Sequence, residues 1–251
     1  MCTVTYLPYR DGFILTHNRD EAPTRSPNHI SREQRAQGAL IFPKDTKAGG
    51  AWIGAAQNGR IACVLNGAFL KHQHQPPYRR SRGLVLLDFF DSPDPDTFID
   101  GYDLTDIEPF TFLFFTTSRV TELRWDGTLR HRKDLPTSEP LFWCSATLYP
   151  PPMQARREQV FHNWLSNHFP STPELSGRAV HRLHRTGSVG DPENDYVMNR
   201  GGRVQTVSIT QLVVQQNMVW MRYSDLLEGY RDRRRMRLAA AAPTRSIPLL
   251  Q

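Results

Sequence analysis

Met1-Cys2-Thr3-Val4-Thr5-Tyr6-Leu7, the turn Arg10-Asp11-Gly12, and Phe13-Ile14-Leu15-Thr16-His17-Asn18-Arg19-Asp20-Glu21 form the stretch on which the fold turns. Two β-prone apolar runs around a turn containing Asp-Gly predict a hairpin. That hairpin brings the chain start and the polar cluster Asn18-Arg19-Asp20-Glu21 to one sheet edge. Cys2 follows the initiator Met directly, and removal of Met1 leaves a thiol and an α-amine on the same residue. An α-amine titrates near pH ~8, close enough to neutrality to serve as base for its own side chain. Arg19 and Asp20 are the nearest groups in sequence that can orient it. The alternative for Cys2 is a small, buried hydrophobe.

Working outward, Ala51-Trp52-Ile53-Gly54-Ala55-Ala56 and Arg60-Ile61-Ala62-Cys63-Val64-Leu65-Asn66 flank Asn58-Gly59, the strongest short-range hairpin signal. Asn66-Gly67 then reads as a turn. Near the other end, Arg203-Val204-Gln205-Thr206-Val207-Ser208-Ile209 has strand character, and period two puts Thr206 and Ser208 on one face.

Met1-Cys2-Thr3, Thr16 to Glu21, Gly49 to Gly54, Asn58 to Ala62 and Arg203 to Ser208 together resemble the NRDE family, also called the transport-and-Golgi-organisation type. Asn18 to Glu21 are the letters of its name, and the resemblance covers most of residues 2–225. The family is related to N-terminal-nucleophile hydrolases of the bile-salt hydrolase and penicillin V acylase type. The resemblance implies an α+β fold, a four-layer αββα sandwich of two mostly antiparallel sheets. It also implies a site with Cys2 as nucleophile and base, Arg19, Asp20 and Arg203 orienting it, and Asn66 donating to an oxyanion. Asn18, Trp52 and Ser145 complete the site on the substrate side. Two positions depart from the related hydrolases: Ser145 stands where they place an asparagine, and His17 where the bile-salt hydrolases carry a catalytic arginine. The activity implied is thiol-dependent hydrolysis of linear C–N bonds, with no cofactor. The alternative is a non-catalytic carrier of haem or of lipid and acyl-CoA, in which Cys2 or a histidine ligates haem iron.

The 251 residues suffice for one large domain, read as 1–228, followed by a basic tail at 229–251. The net charge is +6, and the tail alone, with six arginines against one aspartate, carries +5 of it. The charge is thus a tail property and speaks against specific nucleic-acid binding. No apolar run approaches the ~20 residues of a membrane-crossing helix, and no basic region precedes a long apolar segment at the N-terminus. Three cysteines without metal-ligand spacing fit a reducing, cytoplasmic compartment. The partner expected is a small-molecule substrate or an apolar ligand.

The remaining elements follow from periodicity. Residues 22–48 read as a loop that ends in a short strand at 39–42, and 71–82, with His72 and His74, as a solvated loop. A helix starts on Ser81, a shorter one covers 96–102, and strands follow at 110–117, 120–125, 128–132 and 141–146. Helices are expected over 151–168 and 174–185, the second with His181 and His184 on its surface. A strand at 218–223 closes the sheet.

Overall fold

The protein is described by a computed structural model over residues 2–25, 29–168 and 176–239. The predicted hairpin is β1 (Cys2–Tyr9) and β2 (Gly12–Glu21), closed by the two-residue turn Arg10-Asp11. Arg10 takes the left-handed conformation, φ 53°. Gly12 is needed for a different reason: a Cβ there would lie 2.1 Å from the Val214 carbonyl oxygen, so the neighbouring strand excludes any side chain.

The first sheet continues from this hairpin on both sides. Its order is β10 (Leu141–Cys144), β1, β2, β12 (Val204–Gln215), β13 (Met218–Asp225) and β14 (Arg231–Arg237), with β11 (Asn199–Arg200) paired to β12. Two expectations are corrected here. The part of the basic tail at 231–237 is a strand, because its backbone pairs with β13 from Met218↔Arg237 to Ser224↔Arg231 and Met236 reaches the core. And a β-bulge between Thr206 and Ser208 pairs Thr206 with Asp20 but Ser208 with Arg19, so the two hydroxyls face opposite ways. Residues 240–251 of the tail lie outside the described residues.

The second sheet is a meander in chain order: β3 (Ile30–Arg35), β4 (Gly38–Pro43), β5 (Ile53–Ala56), β6 (Ile61–Asn66), β7 (Phe110–Thr116), β8 (Arg119–Trp125) and β9 (Arg130–Leu135). β3 lies within the stretch read as loop. It is an edge strand that buries only Ile30, and so carries no continuous apolar signal. β7 is buried on both faces, as its aromatic run predicts.

Three apolar clusters define four layers. Val4, Tyr6, Phe13 and Leu15 of the first sheet meet Ile41, Ile53, Cys63 and Phe115 of the second between the sheets. Outside the second sheet, α1 (Arg82–Asp91) and α2 (Pro95–Gly101) pack Leu86, Phe89 and Phe98 on Phe112 and Phe114. Outside the first, α3 (Pro151–His168) and α4 (Gly177–Thr186) pack Phe161, Leu165 and Val180 on Leu7 and Ile14. Each fully buried side chain of this size contributes about 1.5–3 kcal/mol. Ser81 caps α1 by accepting from the Leu84 amide, as expected. The expected start of α4 at residue 174 falls outside the described residues. Among the described residues no helix is long and apolar enough to cross a membrane.

Candidate active site

A cavity of ≈ 740 Å³ opens at the end of the sandwich, and Cys2, Arg19, Trp52, Asn66, Arg82 and Glu108 are among its walls. β1 starts at Cys2, which pairs with Arg19 in the ladder and therefore shares its face, the one turned towards the second sheet. Arg19 is fixed there from several sides. Its Nη2 donates to Asp45 Oδ2 at 2.6 Å, its Nη1 to the Arg25 carbonyl, and its guanidinium lies 4.2 Å over the Trp52 ring. Arg25 joins the network through Glu21 at 2.9 Å and Asp45 at 2.7 Å.

Asn66 ends β6 at the cavity wall. The next residue, Gly67, has φ +82°, and a Cβ there would come within 3.0 Å of Thr147 Cγ2, so both conformation and space require glycine. Ser145 sits beside this turn rather than in the cavity lining. Its backbone N–H donates to the Cys2 carbonyl at 2.9 Å and its hydroxyl to the Asn66 carbonyl at 2.7 Å. Ser145 thus ties the Cys2 strand to the Asn66 strand.

The loop at 71–82 is largely exposed, as expected, and also forms a cavity wall. His72 and His74 both bond Glu108 Oε1, at 3.0 and 3.1 Å. Arg82 Nη2 meets Glu108 Oε2 at 2.8 Å. Burial lowers the pKa of Arg82 from the ordinary arginine value, and Glu108 opposes that shift.

Asn18 and Asp20 lie on the other face of β2, under the helices. Asp20 accepts from Thr206 Oγ1 at 2.6 Å and from the Tyr149 hydroxyl at 3.1 Å. Burial raises its pKa, while the Arg157 charge and the Thr206 bond pull it down. Arg157 is fully buried, lies 4.0 Å over the Tyr149 ring and donates to Thr3 Oγ1 at 2.5 Å. Asn18, expected on the substrate side, clips α4 to the sheet: Nδ2 donates to the carbonyls of His184 and Tyr196, both at 2.8 Å, and Oδ1 meets His184 Nδ1 at 2.7 Å. His184 is accordingly buried, not on the surface, and its Nε2 bonds Thr5 Oγ1 at 2.7 Å.

Arg203 is not brought to the cavity. It stands exposed after the turn Gly201-Gly202, whose φ values are 59° and 71°, while its neighbour Val204 lines the cavity. Arg82 and Arg157 are the cations that sequence reasoning missed. Arg157 has a signal in retrospect: it continues the Phe161–Leu165 stripe at i−4, and all three are buried. Arg82 follows a helix cap and has none.

Cys2 is 1% exposed at the cavity floor. Burial pushes its thiol pKa up, the nearby Asp20 charge adds to this, and Arg19 opposes it. On the same face, His17 pairs with Thr210 and Arg19 with Ser208. Among the described residues, neither ring nitrogen of His17, nor Ser208 Oγ, Thr210 Oγ1 or Trp52 Nε1, has a hydrogen-bond partner. Burial holds the His17 pKa well below that of an ordinary imidazole.

Two antiparallel sheets packed face to face and flanked by helices form the N-terminal-nucleophile-hydrolase-like sandwich. The chain belongs to the Transport and Golgi organisation 2 family, whose sequence profile matches residues 1–218. No curated protein matches it in sequence. Among solved structures, the ortholog of N-acylethanolamine-hydrolyzing acid amidase from Caenorhabditis elegans superposes with a TM-score of 0.58 at 11% identity, over 84% of this chain and 92% of that one. Penicillin V acylase from Agrobacterium tumefaciens gives 0.54 at 8% identity, over 93% and 85%. A variant of conjugated bile acid hydrolase from Clostridium perfringens gives 0.51 at 11% identity, over 90% and 89%. These likenesses are of fold.

Proposed function

We propose that the protein is an N-terminal cysteine amidohydrolase that cleaves a linear C–N bond in a small polar substrate. The observation that carries this reading is that Cys2, Arg19 and Asn66 line one cavity, Cys2 at the head of its strand. Once Met1 is removed, the α-amine of Cys2 takes the thiol proton as Sγ attacks the amide carbon. The amine then returns that proton to the departing nitrogen, leaving a thioester. Water adds to the thioester carbon, its proton passes to the amine, and Sγ leaves as the acid is released. The Asn66 amide is the donor for the oxyanion, a contribution of ~3 kcal/mol where such donors have been removed. Asp20 acts through the strand as a buried negative charge that favours the protonated amine. Trp52 and Arg19 form the substrate wall.

The cavity walls carry Arg19, Arg25, Lys71, Arg80 and Arg82 against Glu21, Asp45 and Glu108. Each of these arginines is already paired with a carboxylate, Arg19 and Arg25 with Asp45, Arg80 with Asp88 and Arg82 with Glu108. Such ionic walls suit a polar substrate better than haem or a lipid tail, which favours the hydrolase over the carrier.

Intact mass of the purified chain comes first, and loss of Met1 is the expected result. Wild type and Cys2→Ala are then compared on a panel of acyl amides, acyl-homoserine lactones and acyl thioesters, with the fold checked by circular dichroism. Turnover that disappears in Cys2→Ala supports the reading. Retention of Met1, or equal inactivity of both proteins across the panel, sinks it.

A further inference from the structure

A second groove, with no lining residue in common with the Cys2 cavity, lies on the outer face of the first sheet beside the start of α4. Its volume is ≈ 590 Å³, and Tyr9, Trp220, Arg222, Arg233 and Arg235 are among its walls, which include no carboxylate among the described residues. That volume falls within the roughly 300–1,000 Å³ of ordinary small-ligand sites.

The charges here are set against one another. In the β13–β14 ladder Arg222 stands directly opposite Arg233, and Trp220 opposite Arg235. Like charges in directly opposed positions destabilise a sheet. Arg234, in the same run, is tied to Asp232 at 2.7 Å, whereas Arg222, Arg233 and Arg235 have no ion-pair partner among the described residues. Burial lowers the pKa of Arg222, and Arg233, Arg178 and Arg231 lower it further. Amid these cations Trp220 leaves 40% of its surface exposed. An anion would relieve the repulsion, and a flat ring would cover the indole.

We propose that this groove binds a small phosphate-bearing ligand with a flat ring, a nucleotide in chemical class, with its phosphates on Arg222 and Arg233 and its ring on Trp220. The planar guanidinium fork matches phosphate oxygens two at a time. An indole face accepts any base, because stacking needs only a π-surface. The site reads charge and flatness, not a particular base.

The test titrates the full chain at physiological salt with adenosine triphosphate, tripolyphosphate and adenosine, by calorimetry and by tryptophan fluorescence. The expected order is saturable one-to-one binding of the triphosphate nucleotide, weaker binding of tripolyphosphate and none of adenosine. Arg222→Ala/Arg233→Ala weakens nucleotide binding at least about tenfold, and Trp220→Ala weakens it while leaving tripolyphosphate unchanged. The ligand-free Arg233→Ala variant melts higher than wild type, because a like-charge pair is gone, and this shows that lost binding is not lost folding. Absence of nucleotide binding, equal binding in the double variant, or tripolyphosphate bound as tightly as the nucleotide would overturn the proposal. So would binding confined to anionic vesicles or oligonucleotides.

Discussion

Arg19 and Asp20, consecutive on β2, point to opposite faces of the first sheet: Arg19 shares the cavity with Cys2, while Asp20 lies behind it on Tyr149 and Thr206. The bulge at Val207 keeps both arrangements, since it lets β12 present Thr206 to Asp20 and Ser208 to Arg19. The Asn18 to Glu21 cluster is therefore split by the sheet, with a cation in the pocket and a buried carboxylate beneath it.

Arg157 favours the Asp20 carboxylate by its charge, without an ion pair to it. Arg157→Met removes that charge and the bonds the guanidinium donates to Thr3 Oγ1 and to the Asn194 and Asp195 carbonyls, so the expected loss is about 1–3 kcal/mol in urea unfolding. A loss below about 0.5 kcal/mol would mean that these oxygens find other donors.

Acidification should destabilise the fold through its histidines. Burial lowers the pKa of His17 and His184 well below 6.5 and that of His181 to about 4. The unfolded chain then binds protons that the folded chain does not, so stability is full above pH ~6.5 and falls as the pH drops below it. Each such histidine adds a slope of about 1.4 kcal/mol per pH unit. Denaturant midpoints measured from pH 7.5 down to 5 give that slope, and His17→Gln reduces it by one proton's share. An unchanged slope in His17→Gln would show that His17 titrates normally.

Thr210 buries a hydroxyl that has no partner among the described residues. Thr210→Val removes the desolvated group at nearly constant shape, and thermal unfolding is expected at the same temperature or higher. A clear drop would reveal a solution partner for that oxygen.

Gly67→Ala places a Cβ against Thr147 in a backbone conformation with φ +82°. The expected cost is roughly 1–2 kcal/mol in stability. Since Asn66 is the preceding residue, hydrolysis by the variant should fall by more than its folded fraction does. Parallel losses of the two would confine Gly67 to a structural role.

Much of this was legible in the chain. Alternation and turn residues located both hairpins, and Asn58-Gly59 marked the second without help from tertiary structure. Cys2, Arg19 and Asn66, far apart in sequence, line one cavity. What was hidden depends on long-range pairing. The Val207 bulge leaves no mark in the period-two pattern of β12, and the Gly201-Gly202 turn carries Arg203 away from the strand that starts at Val204. β3 and β14 were missed because each buries a single apolar side chain, Ile30 and Met236, and is otherwise held by its backbone ladder, which composition does not report. The loop with His72 and His74 is exposed as read, but its place in the cavity wall was hidden because its partner, Glu108, is 36 residues from His72.

The two sheets also differ in when they can form. Every neighbour pair of the second sheet is consecutive in the chain, so it can build up by successive local closures. In the first sheet β2 waits for β12, and the Thr206–Asp20 bond spans 186 residues. Contacts of that separation form slowly, since loop closure must precede any gain. A nascent or partly denatured chain can thus hold a complete meander while the pairing of Arg19 with Ser208 and of Asp20 with Thr206 does not yet exist. Chemistry at Cys2 should be the last property to appear on refolding and the first to vanish on unfolding.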